Sequence, residues 1–154
     1  MLELKDVSVV FNEGTVNEKV ALNNINLALD KGDFVTIIGS NGAGKSTLFQ
    51  AISGAVDTKR GNIILNGRDI TFEPEYKRSK GIGRLFQDPL KGTAPNMTIE
   101  ENLHLSNQRG KHFSLSLMSH RHREEFKKAL MELELGLEER LDSKVGLLSG
   151  GQRQ

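Results

Sequence analysis

One stretch of the chain has residue types and spacing suited to holding a phosphate: Gly39-Ser40-Asn41-Gly42-Ala43-Gly44-Lys45-Ser46. Two glycines separated by four residues and followed by Lys and Ser match the P-loop spacing. Glycine at 39, 42 and 44 lets the backbone take positive φ and approach an anion with no Cβ in the way. The amide N–H groups then converge as an anion-binding nest. A helix starting near Lys45 points its N-terminus at the same spot and adds about half a positive charge. Lys45 reaches the β- and γ-phosphates of a nucleotide as a point charge. Ser46 supplies a hydroxyl for Mg²⁺, and Thr47 places a second one nearby. A glycine-rich turn with an exposed lysine is the alternative, but the Lys-Ser pair and both flanks favour the phosphate site.

Those flanks are the elements that must position the loop. Phe34 to Ile38 is apolar and β-branched and predicts a strand buried on both faces, running into Gly39. Leu48, Phe49 and Ile52 at helical spacing predict a helix over 45–55 with Gly54 as its stop. Val7, Val9 and Phe11 alternate, as do Ile25, Leu27 and Leu29, and both sets suit half-buried strands. Asn12 to Lys19 is polar and turn-like, and Lys31-Gly32-Asp33 is a tight turn. Asn62 to Leu65 followed by Asn66-Gly67 reads as a strand entering a hairpin. Pro74 opens a short helix near Glu73 to Ser79, and Ile82 to Phe86 reads as a further strand ending at Gln87. Beyond Asp88-Pro89 the pattern turns helical. Thr98-Ile99-Glu100-Glu101 has capping-box spacing. Phe126, Ala129, Leu130, Leu133 and Leu137 share a stripe over 120–135, with Gly136 as the breaker. The organisation expected is one α/β domain over 1–154, with a mixed α/β portion at 1–88 and a helical portion at 89–154.

Composition narrows the function classes. The 154 residues include 21 basic and 20 acidic side chains, a formal net charge of +1, so no global field recruits nucleic acid. The one basic cluster, His120-Arg121-His122-Arg123, reads as a solvated helix start or a patch for an acidic partner. No apolar run approaches the ~20 residues of a membrane span. Glu3, Lys5 and Asp6 interrupt any signal-peptide core. The chain has no cysteine, which removes disulfide and thiolate-metal chemistry.

Leu148-Ser149-Gly150-Gly151-Gln152 resembles the signature motif of ATP-binding cassette (ABC) proteins. Gln87 stands between it and the P-loop, where that family places its Q-loop glutamine, and Phe11 lies where the family puts an adenine-stacking aromatic. The resemblance covers essentially the whole chain. It implies a P-loop NTPase-like ABC ATPase core, with an N-terminal antiparallel β portion and a helical subdomain. It also implies that Phe11 packs on the base, and that residues 39–47 hold the phosphates of ATP. Gln87 touches Mg²⁺ or the attacking water. Ser149 and Gly151, within the 149–152 motif, face the γ-phosphate bound by a second copy. A core aromatic is the competing reading of Phe11, and a polar strand end that of Gln87.

The family further carries a Walker B strand with a catalytic Glu, a D-loop and a switch His after the signature, where only Arg153 and Gln154 follow here. His104, His112, His120 and His122 all precede the signature. The expectation is therefore a chain lacking the C-terminal strands, inactive alone in turnover and marginally stable, with apolar surface uncovered. Within the family, Gly92 to Leu103 resembles ATPases of bacterial importers for small solutes, possibly amino acids. The resemblance implies transmembrane permease subunits and a second ATPase subunit as partners, and a place on the inner face of the cell membrane. The rivals are a soluble cassette protein not linked to transport, such as one acting on nucleic acid or the ribosome, and a nucleotide-binding fragment without turnover.

Overall fold

The computed structural model describes residues 1–108 and 120–153. The chain divides into two compact units, Met1–Ile82 and Gly83–Gln154.

The first unit is built on strands β1 (Leu2–Phe11), β2 (Lys19–Leu29), β3 (Arg60–Leu65) and β4 (Arg68–Asp69), with helices α1 (Lys45–Ser53) and α2 (Glu75–Arg78). The sheet is antiparallel in the order β2-β1-β3-β4. Central β1 sets Leu4 opposite Leu27 on one side and Ile63 on the other. Its alternation is broken by a register shift between Lys5 and Ser8. Asp6 (φ 50°) and Asn24 on the neighbouring strand (φ 50°) take the left-handed conformation that bulges use. The bulge turns Val7, Ser8 and Val9 all inward. Asn26 holds it in place: its Oδ1 accepts from the Asp6 N–H at 3.0 Å, and its Nδ2 donates to Asp6 Oδ1 at 2.9 Å.

The Asn66-Gly67 hairpin forms with φ 53° and 78°, the pair of positive values that a type I′ turn needs. Helix α1 lays Leu48, Ala51 and Ile52 on the core made by Leu4, Val7, Val9, Leu22, Ile63 and Ile70. Phe49 falls outside this stripe and is 52% exposed, because it lies about 100° around the helix from Leu48.

Two expected strands do not form. Residues 34–38 and 82–86 carry no strand pairing, and Phe34, Val35, Ile38 and Leu85 are exposed. Ile37 and Ile82 alone keep contact with the first unit's core. A β-branched segment becomes a strand only when a neighbour takes up its N–H and C=O groups. Among the described residues none does so here.

The second unit contains α3 (Ile99–Asn107), α4 (His120–Met131) and α5 (Gly150–Arg153), with 3₁₀ turns at Pro89–Gly92 and Val145–Leu147. Ile99, Leu130, Leu137, Leu141, Val145 and Leu148 form its core, joined by Leu103. Backbone bonds stitch 95–100 to 141–146: Gly146 N–H to Pro95 O (2.8 Å), Val145 N–H to Met97 O (3.0 Å) and Ile99 N–H to Ser143 O (3.0 Å). On α4, Phe126 and Leu130 are buried, whereas Ala129 and Leu133 of the expected stripe are exposed. The helix ends at Met131, short of Gly136, because Glu134 already turns left-handed at φ 53°. His112, and the side chains of His120 and Arg121, lie outside the described residues.

The Thr98 capping box is complete. Thr98 Oγ1 accepts from the Glu101 N–H at 3.1 Å, and Glu101 Oε2 accepts from the Thr98 N–H at 2.7 Å. Thr98→Ala is expected to lower stability by about 1 kcal/mol, with Thr98→Ser close to wild type. Urea melts of the three proteins check this, and an Ala variant as stable as wild type would count against a working cap.

Candidate functional site

The loop between residue 38 and α1 is a sharp turn with two glycines in the left-handed region, Gly42 (φ 86°) and Gly44 (φ 91°); Gly39, expected to share it, does not, and its requirement is contact, a Cβ there standing 3.2 Å from Ala43 Cβ. The Ala43 N–H closes it onto Ser40 O at 3.2 Å. Gly44 is the N-cap of α1 and provides no side-chain acceptor. Among the described residues, no carbonyl takes up the backbone N–H groups of Gly42, Gly44, Lys45, Ser46 or Thr47. A helix leaves its first N–H groups orphaned unless something caps them. Here they lie as a fan at or just before the positive end of a nine-residue helix, a position that favours an anion.

Lys45 folds back over this loop. Its Nζ donates to Gly39 O at 2.6 Å and to Ser40 O at 2.8 Å, so the ammonium stands at the loop's mouth. Gly44 is required for contact as well as for φ: a Cβ there would lie 2.6 Å from Ala21 O on β2 and 3.1 Å from Leu22 Cδ2. Ser40, Asn41, Ala43 and Ser46 are exposed, and Thr47 is half-buried. Among the described residues no group of three or more His, Asp or Glu side chains could hold a metal ion. Side-chain hydroxyls at the loop come from Ser40, Ser46 and Thr47, with Ser46 exposed in the first turn of α1.

Phe11 ends β1 opposite Lys19 and packs, half-buried, against the first unit's core. Gln87 belongs to the second unit and is exposed. It precedes the turn Pro89–Gly92, which Asp88 caps by accepting from the Leu90 N–H at 3.0 Å.

The 148–152 motif is the entry to α5. Leu148 is buried, and Ser149 and Gln152 form a reciprocal cap. The Gln152 N–H reaches Ser149 Oγ at 3.3 Å, and the Ser149 N–H reaches Gln152 Oε1 at 3.2 Å. The spacing Ser-x-x-Gln is a capping-box pattern legible in the sequence but not anticipated there. Among the described residues nothing stands within 4 Å of where a Cβ at Gly150 or Gly151 would lie. Arg153 ties α5 down through Val145 O (3.1 Å) and Gly146 O (2.7 Å).

Arg123, from the cluster read as a solvated helix start, is instead a bridge. It binds buried Glu100 on α3 and forms a bidentate pair with Asp142 at 3.0 and 2.7 Å. The Arg123 hydrogen bonds hold the Asp142 carboxyl below the usual carboxylate range. No local pattern foretells this, because both partners are distant in sequence.

A family model described as ABC transporter matches residues 22–154. The tyrosine transport ATP-binding protein of Clostridioides difficile is 41% identical over 100% of this chain and 61% of its own length. The xylose/arabinose import ATP-binding protein of Sulfolobus acidocaldarius is 36% identical over 100% of this chain and 58% of its own. The chain thus spans about three-fifths of the length of these curated relatives. Among solved structures, a dimeric ATP-binding cassette in a post-hydrolysis state with ADP and Pi matches at TM-score 0.76 and 29% identity. The match covers 99% of this chain and 65% of that one. A family match from residue 22 onward, joined to relatives aligned along the whole chain, places this protein in the ABC transporter family, among its ATP-binding cassettes.

Proposed function

We propose that the chain is the nucleotide-holding part of an ABC importer's ATP-binding subunit, in which binding and hydrolysis of MgATP drive uptake of a small solute. The observation that carries this reading is the fan of unpartnered N–H groups at the start of α1, with Lys45 poised over it. Residues 39–47 take the phosphates, with Gly39, Gly42 and Gly44 keeping the backbone close and Lys45 moving from its two carbonyls onto phosphate oxygen. Ser46 is the metal ligand, assisted by Gln87. Mg²⁺, when bound, neutralises phosphate charge and fixes its geometry. Phe11 lies against the base. Ser149, Gly150, Gly151 and Gln152 form the face that meets nucleotide held by a second copy. The clearance from described residues at both glycines leaves that face free for the approach.

An amino acid is the solute favoured, because the 41% relative is named for tyrosine transport. The 36% relative is named for a sugar, which is why the solute stays a proposal. The partners proposed are permease subunits and a second copy of the cassette, at the inner face of the membrane. Residues 1–88 and 89–154 are the nucleotide-binding and helical parts of one domain.

The test is a thermal melt of the chain with and without MgATP, with Lys45→Ala alongside. Ligand at a hundred times its Kd stabilises by about 2.7 kcal/mol, which moves the midpoint of a domain this size by roughly 5–10 °C. The shift is expected in wild type and lost in Lys45→Ala. A wild-type midpoint indifferent to MgATP would count against the reading.

A further inference from the structure

Arg78 is the most deeply buried cation among the described residues of the first unit, at 3% exposure, and the phosphate loop does not touch it. Its guanidinium donates to four backbone carbonyls: Ala51 (2.7 Å) and Ile52 (3.1 Å) at the end of α1, Thr71 (2.6 Å) and Glu73 (2.7 Å). The carboxylate of Glu73 is turned to Arg68. Burying an arginine with carbonyls as its hydrogen-bond acceptors costs desolvation. It is stable where those carbonyls stand at the negative end of a helix, as do those of Ile52 and of Ala51, which also accepts the Gly54 N–H at 3.2 Å. Burial pulls the Arg78 pKa down, and the charges of Glu73, Asp57 and Asp69 oppose that.

The surroundings are shaped for this contact. Gly54 ends α1 at φ 83°, and a Cβ there would stand 2.8 Å from Arg78 Nε and 3.1 Å from Cδ and Cζ. Thr71, whose carbonyl Arg78 grips, is fully buried and anchored to the sheet, because its Oγ1 accepts from the Ile63 N–H at 2.8 Å. The C-terminal end of α1 is therefore fastened to β3 through Arg78 and Thr71. Its N-terminal end lies close to β2, where a Cβ on Gly44 would stand 2.6 Å from Ala21 O.

We infer that Arg78 is a positioning residue for the nucleotide site, acting through α1: by clamping the helix's C-terminal end it aims the N–H fan at the phosphates. This rests on the function proposed above. A nine-residue helix is roughly 13 Å long, so a 1 Å slip of the clamped end swings its axis by about 4–5°. Every N–H of the first turn swings with it, and anion capture by a preorganised nest depends on that aim. Arg78 also screens the negative end of α1 while leaving the positive end open to ligand.

The experiment compares wild type, Arg78→Lys and Arg78→Met with Ile63→Val, a core variant that loosens the same unit by one methylene while keeping the backbone N–H that anchors Thr71. Two readouts are taken at a temperature where each protein is folded. One is the Kd for MgATP, titrated calorimetrically. The other, in the nucleotide-free chain, is the set of ¹⁵N–¹H residual dipolar couplings of α1 relative to those of the sheet. Both Arg78 variants are expected to bind MgATP at least about tenfold more weakly. Their α1 couplings should change together as a rigid tilt, with Lys milder than Met, while Ile63→Val leaves both readouts at wild type. Unchanged couplings and an unchanged Kd in the Arg78 variants overturn the inference, as does an equal loss of affinity in Ile63→Val. If wild type itself ignores MgATP, the proposed function falls, and the couplings still decide the clamp. If Arg78→Met does not fold, Arg78→Lys decides. If neither folds, Gly54→Ala, which crowds the guanidinium while keeping its charge, takes their place.

Discussion

Gly61→Ala is expected to destabilise the first unit by on the order of 3–5 kcal/mol, enough to consume much of a small domain's stability. Two effects combine. Gly61 sits at φ 85°, where an L-residue is strained by about 1–3 kcal/mol. Its Cβ would also stand 2.3 Å from Lys5 O and 2.5 Å from Asp6 C and O, all backbone atoms of the bulged strand β1. Neither side yields cheaply, because the bulge at Asp6 is what turns Val7, Ser8 and Val9 into the core. Gly67→Ala separates the two effects. That residue has φ 78° but no described atom within 4 Å of where its Cβ would go, so the variant should lose only the conformational part, about 1–2 kcal/mol. Denaturant melts of both variants give the collision as their difference. Equal losses would show that the close approach of β3 to β1 is not what requires glycine at 61.

Gly44→Ala should damage nucleotide capture and stability together, whereas Gly42→Ala should damage capture with a smaller loss of stability. Both glycines have positive φ, 91° and 86°. At 44 a methyl group meets Ala21 O at 2.6 Å, so α1 must lift from β2 or β2 must bend away. At 42 no described residue lies within 4 Å of the added carbon, and the strain stays in the loop. Gly44→Ala is expected to cost about 2–4 kcal/mol of stability and at least tenfold in MgATP affinity, with Gly42→Ala below about 1.5 kcal/mol. Melts without ligand and calorimetric titration with MgATP measure the two losses separately. A Gly44 variant as stable as the Gly42 variant would mean that α1 does not rest on Ala21.

What was legible beforehand was what a short stretch of chain decides for itself. Thr98 and Glu101 find each other within one helical turn, Asn66-Gly67 sets the hairpin by its own φ values, and the glycines before Lys45 shape the loop. The same locality would have exposed the Ser149–Gln152 cap. Local composition misled where the outcome depended on a neighbour. Residues 34–38 have a buried strand's side chains, yet nothing among the described residues pairs with them, and Phe34 stands 95% exposed.

By itself, then, the sequence determined the glycine-rich turn before Lys45, the Thr98 cap, the hairpin and the family. Each rests on hydrogen bonds or dihedral preferences spanning a few residues, or on motifs read in order. Only the tertiary structure decided which charges are structural. Arg78 finds its carbonyls 5, 7, 26 and 27 residues away, and Arg123 its carboxylates 23 and 19 away. An arginine on a polar helix looks the same in sequence whether water or a buried carbonyl receives it. Desolvation is set by the packing of distant segments, and that packing turned two apparent surface cations into the ties of their units.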